Sequence, residues 1–107
     1  MSTIRVIDWS ETPGPRKRAD GQHSAEEFFE TVFEEAFCDV IEQQEHLTLD
    51  LDGAAGYAAS FLDELAGRFV GSFTAFERER LTIKSTEEPY LVGNFWQFVE
   101  ENRERKA

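Results

Sequence analysis

Residues 46–52, read as HLTLDLD, alternate strictly, with Leu47, Leu49 and Leu51 on one side of an extended chain and Thr48, Asp50 and Asp52 on the other. LTIK at 81–84 repeats the pattern, setting Leu81 and Ile83 against Thr82 and Lys84. Strands of this kind are covered on one face only. A doubly wound sheet requires near-continuous apolar runs, because helices bury both of its faces.

Helical periods separate these strands. From Ala25 the apolar positions recur at 25, 28/29, 32/33, 36/37 and 40/41, a spacing close to 3.6, while Glu26, Glu27, Glu30, Glu34, Glu35 and Glu42 take other faces. Ser24 with Glu27 three residues on has the form of a capping box. A second helix starts at Ser60, read as its N-cap, and carries Leu62, Leu65, Ala66, Phe69, Val70 and Phe73 on one side. Pro89 starts the last helix, because its missing N–H falls where no intrahelical partner exists. That helix bears a wide apolar belt through Leu91, Val92, Phe95, Trp96, Phe98 and Val99, broad enough to face a partner or a second copy. Thr3 to Trp9 is β-branched-rich and reads as a first strand, and the Pro/Gly/charge-rich stretch after it as a loop. The expected architecture is α/β: a small mixed or largely parallel sheet of three or four strands with helices mainly on one face. It forms a single domain over 1–107, with a flexible basic loop at about 10–23.

Composition narrows the function. At 107 residues the chain has one core, and ten Phe, two Trp and two Tyr make it aromatic-rich. A net charge of −11 repels nucleic-acid phosphates and anionic membranes. Cys38 is the only cysteine, so neither an intramolecular disulfide nor a cysteine zinc cluster forms; the residue reads as small packing material in a reducing, cytoplasmic setting. His23 and His46 lack ligand-spaced companions, so no zinc site and no cofactor is expected. No segment approaches a membrane-spanning apolar run.

Asp50-Leu51-Asp52-Gly53 resembles the first motif of aspartate-nucleophile phosphatases of the haloacid-dehalogenase type. That resemblance implies a small Mg²⁺-dependent phosphatase in which Asp50 attacks phosphorus and Asp52 serves as acid/base. Such enzymes also need a downstream Ser or Thr, a Lys and an acidic metal pair on a strand. Lys84 and Ser85 are present, but no such acidic pair follows in the 55 residues after Asp52, since Glu87 and Glu88 precede Pro89 at a helix start. Without it, Asp50 is a solvent-face strand residue and Asp52 a turn former that bonds local amides.

A longer likeness covers roughly residues 4–85. TPGPRKRADGQHSAEEFFE, LTLDLDGAAGYAASFLDELAGRFV and the LTIKS strand together resemble the STAS-like family of small bacterial domains of unassigned function. The resemblance implies a STAS-like fold related to anti-sigma-factor antagonists, non-catalytic regulatory modules that dock a kinase-like ATPase of the GHKL type through a loop and helix. With Leu62 as anchor, the antagonists' phosphoacceptor Ser falls on Ala59 and the Asp before it on Ala58, leaving Ser60 as the retained hydroxyl. The implied partner-binding residues are Gly53, Gly56, Tyr57, Ser60 and Phe61. Tyr57 reads equally as an exposed anchor and as a lid on the core. Arg16 and Arg18, with Lys17 between them, are candidates for contact with the Asp50/Asp52 turn or with an anion held near it. A homodimer is left open.

Overall fold

The computed structural model describes residues 2–54, 57 and 59–106. Its elements run β1 (Ser2–Arg5), α1 (Val6–Trp9), a 3₁₀ turn (Arg18–Asp20), then α2 (Ala25–Phe28), a π-helical turn (Phe29–Phe33) and α3 (Glu34–Glu42). These are followed by β2 (Leu47–Asp50), α4 (Ala59–Ser72), α5 (Ala75–Arg78), β3 (Leu81–Lys84) and α6 (Tyr90–Lys106). The three strands form one sheet in the order β1-β2-β3, both pairings parallel.

Register explains the alternation. Ile4, Leu49 and Ile83 stand side by side, as do Thr3, Thr48 and Thr82, and then Arg5, Asp50 and Lys84. Leu47, Leu49, Leu81 and Ile83 are buried beneath the helices, while Thr82 and Lys84 are exposed. The first strand is shorter than its composition suggests. Expected to run to Trp9, it stops at Arg5, and Val6–Trp9 close one helical turn through Ser10 N–H to the Val6 carbonyl at 2.9 Å. That turn buries Val6 completely and sets the Trp9 ring edge-on to Phe28 at 5.0 Å, contacts an extended chain would forgo. Packing overrides the β preference of Val and Ile here.

The stretch expected as a flexible basic loop is pinned at several points: Gly14 N–H to His23 O at 2.7 Å, Ala25 N–H to Pro15 O at 2.9 Å and Glu26 N–H to Arg16 O at 3.0 Å. Ser24 then caps α2, its Oγ accepting from Glu27 N–H at 3.0 Å. The π-helical turn keeps Phe29, Phe33 and Phe37 in one buried column, with successive rings stacked at 5.7 and 5.5 Å. Phe69 and Phe73 of α4 and its end meet that column edge-on, Phe69 at 5.6 Å from Phe33 and Phe73 at 4.7 Å from Phe37. Burial of this apolar area dominates the stability of the fold. Helix α6 lies along α4, with Gly67 so close to Asn102 that a Cβ there would sit 2.9 Å from its Oδ1.

Cys38, read from sequence as packing material, is exposed on α3. Burial still pushes its thiol up, helped by the negative charges of Glu34, Asp39 and Glu77. Helix α5 is absent from the sequence reading although its capping box is complete: Thr74 Oγ1 accepts from Glu77 N–H at 3.2 Å and Glu77 Oε1 accepts from Thr74 N–H at 2.8 Å.

Candidate functional site

The candidate site is the rim at the carboxyl ends of the strands, where β2 runs into the DLDG turn. Leu51 N–H still donates to the Lys84 carbonyl at 2.8 Å, so the turn leaves the sheet alongside the end of β3. Asp50 Oδ1 accepts from Asp52 N–H at 2.9 Å, which starts the turn. The other Asp50 oxygen lies 4.0 Å from Arg5 Nε and 3.8 Å from Lys84 Nζ. Expected on the solvent face, Asp50 is in fact 7% exposed, because the neighbouring strands carry a cation on each side of it.

Asp52 joins the turn to the loop before α6. Its Oδ1 accepts from Thr86 N–H at 2.8 Å and Glu87 N–H at 3.0 Å, its Oδ2 accepts from the Thr86 hydroxyl, and Gly53 N–H returns a bond to Glu87 Oε1 at 3.0 Å. The Glu87 amide and the Thr86 bonds hold the Asp52 carboxyl below the usual range. Gly53 has φ +93°, and a Cβ there would meet Ile7 Cδ1 at 2.8 Å, so both conformation and space demand glycine.

Beyond Gly53 the sequence candidates separate. Gly56, and with it Ala58, lies outside the described residues. Tyr57 is half-buried, its ring 6.1 Å from Phe61 and edge-on to it, which fits a lid on the core better than a free anchor. Its hydroxyl is buried with no hydrogen-bond partner among the described residues. Burial raises its pKa, and the charges of Asp50 and Asp52 raise it further, so the phenol stays protonated. Phe61, a candidate contact residue, is fully buried against Phe28 and Trp9 and cannot touch a partner. Ser60 is not at the cap: α4 begins at Ala59, which is exposed, and Ser60 sits half-buried in the first turn. The exposed residues of the site are therefore Gly53, Ala59, the clasping loop residues Thr86 and Glu87, and the cations Arg5 and Lys84, with Ser60 half-buried.

Arg16 and Arg18 do not reach the aspartate turn. Arg16 Nη1 binds Asp63 Oδ2 at 2.8 Å on α4, and Arg18 binds Glu30 at 3.1 Å while its N–H donates to Glu26 Oε1 at 2.9 Å. The basic stretch is thus strapped to helices. Asp63 also accepts from Asn102 Nδ2 at 2.9 Å. Burial opposes its ionisation, but the bonds from Asn102 and Arg16 outweigh that and hold its carboxyl below the usual range.

Sequence reasoning missed Arg5, Lys84, Thr86 and Glu87. A signal was present for Lys84, since LTLD and LTIK share one pattern and align with Asp50 opposite Lys84. Among the described residues no group of three or more His, Cys, Asp or Glu is arranged to hold a metal ion. Both motif carboxylates are committed instead to holding strands and loops together.

A family model described as "STAS-like domain of unknown function (DUF4325)" matches residues 24–91, more than half of the chain. The match starts at the capping serine of α2 and ends in the first turn of α6, leaving β1 outside it. No curated protein and no solved structure matches the chain.

Proposed function

The chain belongs to the family of STAS-like domains of unknown function, and we propose that it is a non-catalytic regulatory module that docks a protein partner through the rim around Gly53 and the start of α4. The observation that carries this reading is the clasp. Asp52, Thr86, Glu87 and Gly53 tie together two loops 34 residues apart, and Gly53 there and Ala59 at the start of α4 are both exposed. Small side chains there let a partner approach the main chain closely.

The partner class follows from the likeness to anti-sigma-factor antagonists: a kinase-like ATPase of the GHKL type. Alanine stands at the position of the antagonists' phosphoacceptor, so docking proceeds without a phosphoryl switch at that residue. The competing phosphatase reading needs Asp50 free to attack, whereas here it faces Arg5 and Lys84 and is bonded by Asp52 N–H.

Titration of the purified chain against kinase-like ATPases from its source organism tests the proposal. Ala59→Arg places a long charged side chain on the exposed start of α4 and should weaken binding at least about tenfold with the fold intact. Equal affinity of wild type and Ala59→Arg rejects the surface. Magnesium-dependent turnover of a phosphate ester that is abolished in Asp50→Asn rejects the non-catalytic reading.

A further inference from the structure

Of ten phenylalanines, Phe76 alone stands 74% exposed, and it does so on a stiff support. Helix α5 carries the full Thr74–Glu77 capping box, Arg78 Nη1 donates to the Phe73 carbonyl at 2.6 Å, and Arg80 Nη1 donates to the Glu45 carbonyl at 3.0 Å. A ring held out in this way costs ordering and exposes apolar area with no return inside the chain. Beside it, between α5, the start of β3 and α6, runs a groove of about 570 Å³. Leu81, Trp96 and Val99 supply its apolar part and Glu79 borders both the groove and the Phe76 surface.

We infer that this face joins two copies of the chain, the Phe76 ring of each entering the groove of the other. A knob and a hole on one patch are what a two-fold axis requires, because the same surface must serve both sides of the contact. The charges favour a second copy over a foreign partner. Each chain carries −11, yet the groove is bordered by Arg78 and Arg103 on one hand and Glu79 and Glu100 on the other. This balanced rim can meet its own image with unlike charges together, while most of the remaining surface repels it. His46 and Arg80, next to Phe76, precede β2 and β3, so the contact lies at the amino ends of the strands and leaves the Gly53 rim free. The inference therefore stands independently of the docking proposal.

Sedimentation equilibrium of the full chain decides the matter. Wild type should show a concentration-dependent dimer in the micromolar range, tightened by moderate salt because screening relieves the net repulsion. Phe76→Ser, which removes the ring without adding charge, should weaken the dimer at least about tenfold while leaving thermal unfolding of dilute protein unchanged. Arg103→Glu, which upsets the balance of the rim, should weaken it as well. A wild-type chain that stays monomeric at the highest concentration, or a dimer whose constant is the same in Phe76→Ser, overturns the inference. A dimer lost in Ala59→Arg but kept in Phe76→Ser overturns it too, by moving the contact to the opposite end.

Discussion

Two phenylalanines at opposite ends of the sheet receive opposite treatment. Phe61, eight residues beyond the DLDG motif, is withdrawn completely among Trp9, Phe28 and Tyr57, whereas Phe76 projects from a four-residue helix near the amino ends of the strands. Around Phe61 the polar groups turn on one another, so Asp50, Asp52 and Glu87 hold strands and loops. Around Phe76 the polar groups fasten the backbone that presents the ring. The contrast teaches that a residue's place in a family motif does not fix its exposure, and the two surfaces proposed for contact rest on backbone at one end and on a side chain at the other.

The sharpest way to break this contrast is to truncate both rings. Phe61→Ala should cost about 3–5 kcal/mol in urea unfolding, as expected for a wholly buried aromatic, while Phe76→Ala should stay within about 0.5 kcal/mol in dilute solution. Similar costs for the two would erase the distinction. A smaller effect is expected at Asp50 and its flanking cations. Asp50→Ala leaves the Asp52 amide and two cations without their acceptor and should cost about 1–3 kcal/mol. Arg5→Ala and Lys84→Ala should each cost less than about 1 kcal/mol, because both side chains are half exposed and water replaces the lost contact.

Acid should act more gently. Asp52 and Asp63 both have carboxyls held below their ordinary range, so the folded chain binds protons less readily than the unfolded one. Their contribution is complete above the unfolded value near pH 4 and is lost as pH falls through the lower folded values. Thermal midpoints followed from neutral to strongly acid solution should therefore fall in that window, and Asp63→Asn should flatten part of the decline. An Asp63→Asn chain with an unchanged acid slope would show that other carboxylates account for it.

Much of the architecture was legible because it rests on local phase. LTLD and LTIK disclose one-sided strands, and the 25–41 and 91–99 spacings disclose helices, since each period reports directly which face is covered. The end of β1 was not legible, because the gain from turning the chain at Val6 comes from Phe28 and His23, which lie far along the sequence. Helix α5 is too short to show a period, though Thr74 and Glu77 mark its start. At the site, the DLDG turn was visible but its partners were not. Thr86 and Glu87 come within reach of Asp52 only when the parallel register of β2 and β3 is known. The expected roles of Arg16 and Arg18 failed for the same reason in reverse, as nearer carboxylates on the helices took them.

The strand order, which runs one-two-three without doubling back, has a bearing on what can hold this molecule. Open sheets whose order reverses acquire a natural hollow at that point, and small ligands settle there. This sheet never turns around, so its strand order supplies no such reversal point. A partner docking at the carboxyl margin of the sheet, as proposed, would have to supply the concavity itself.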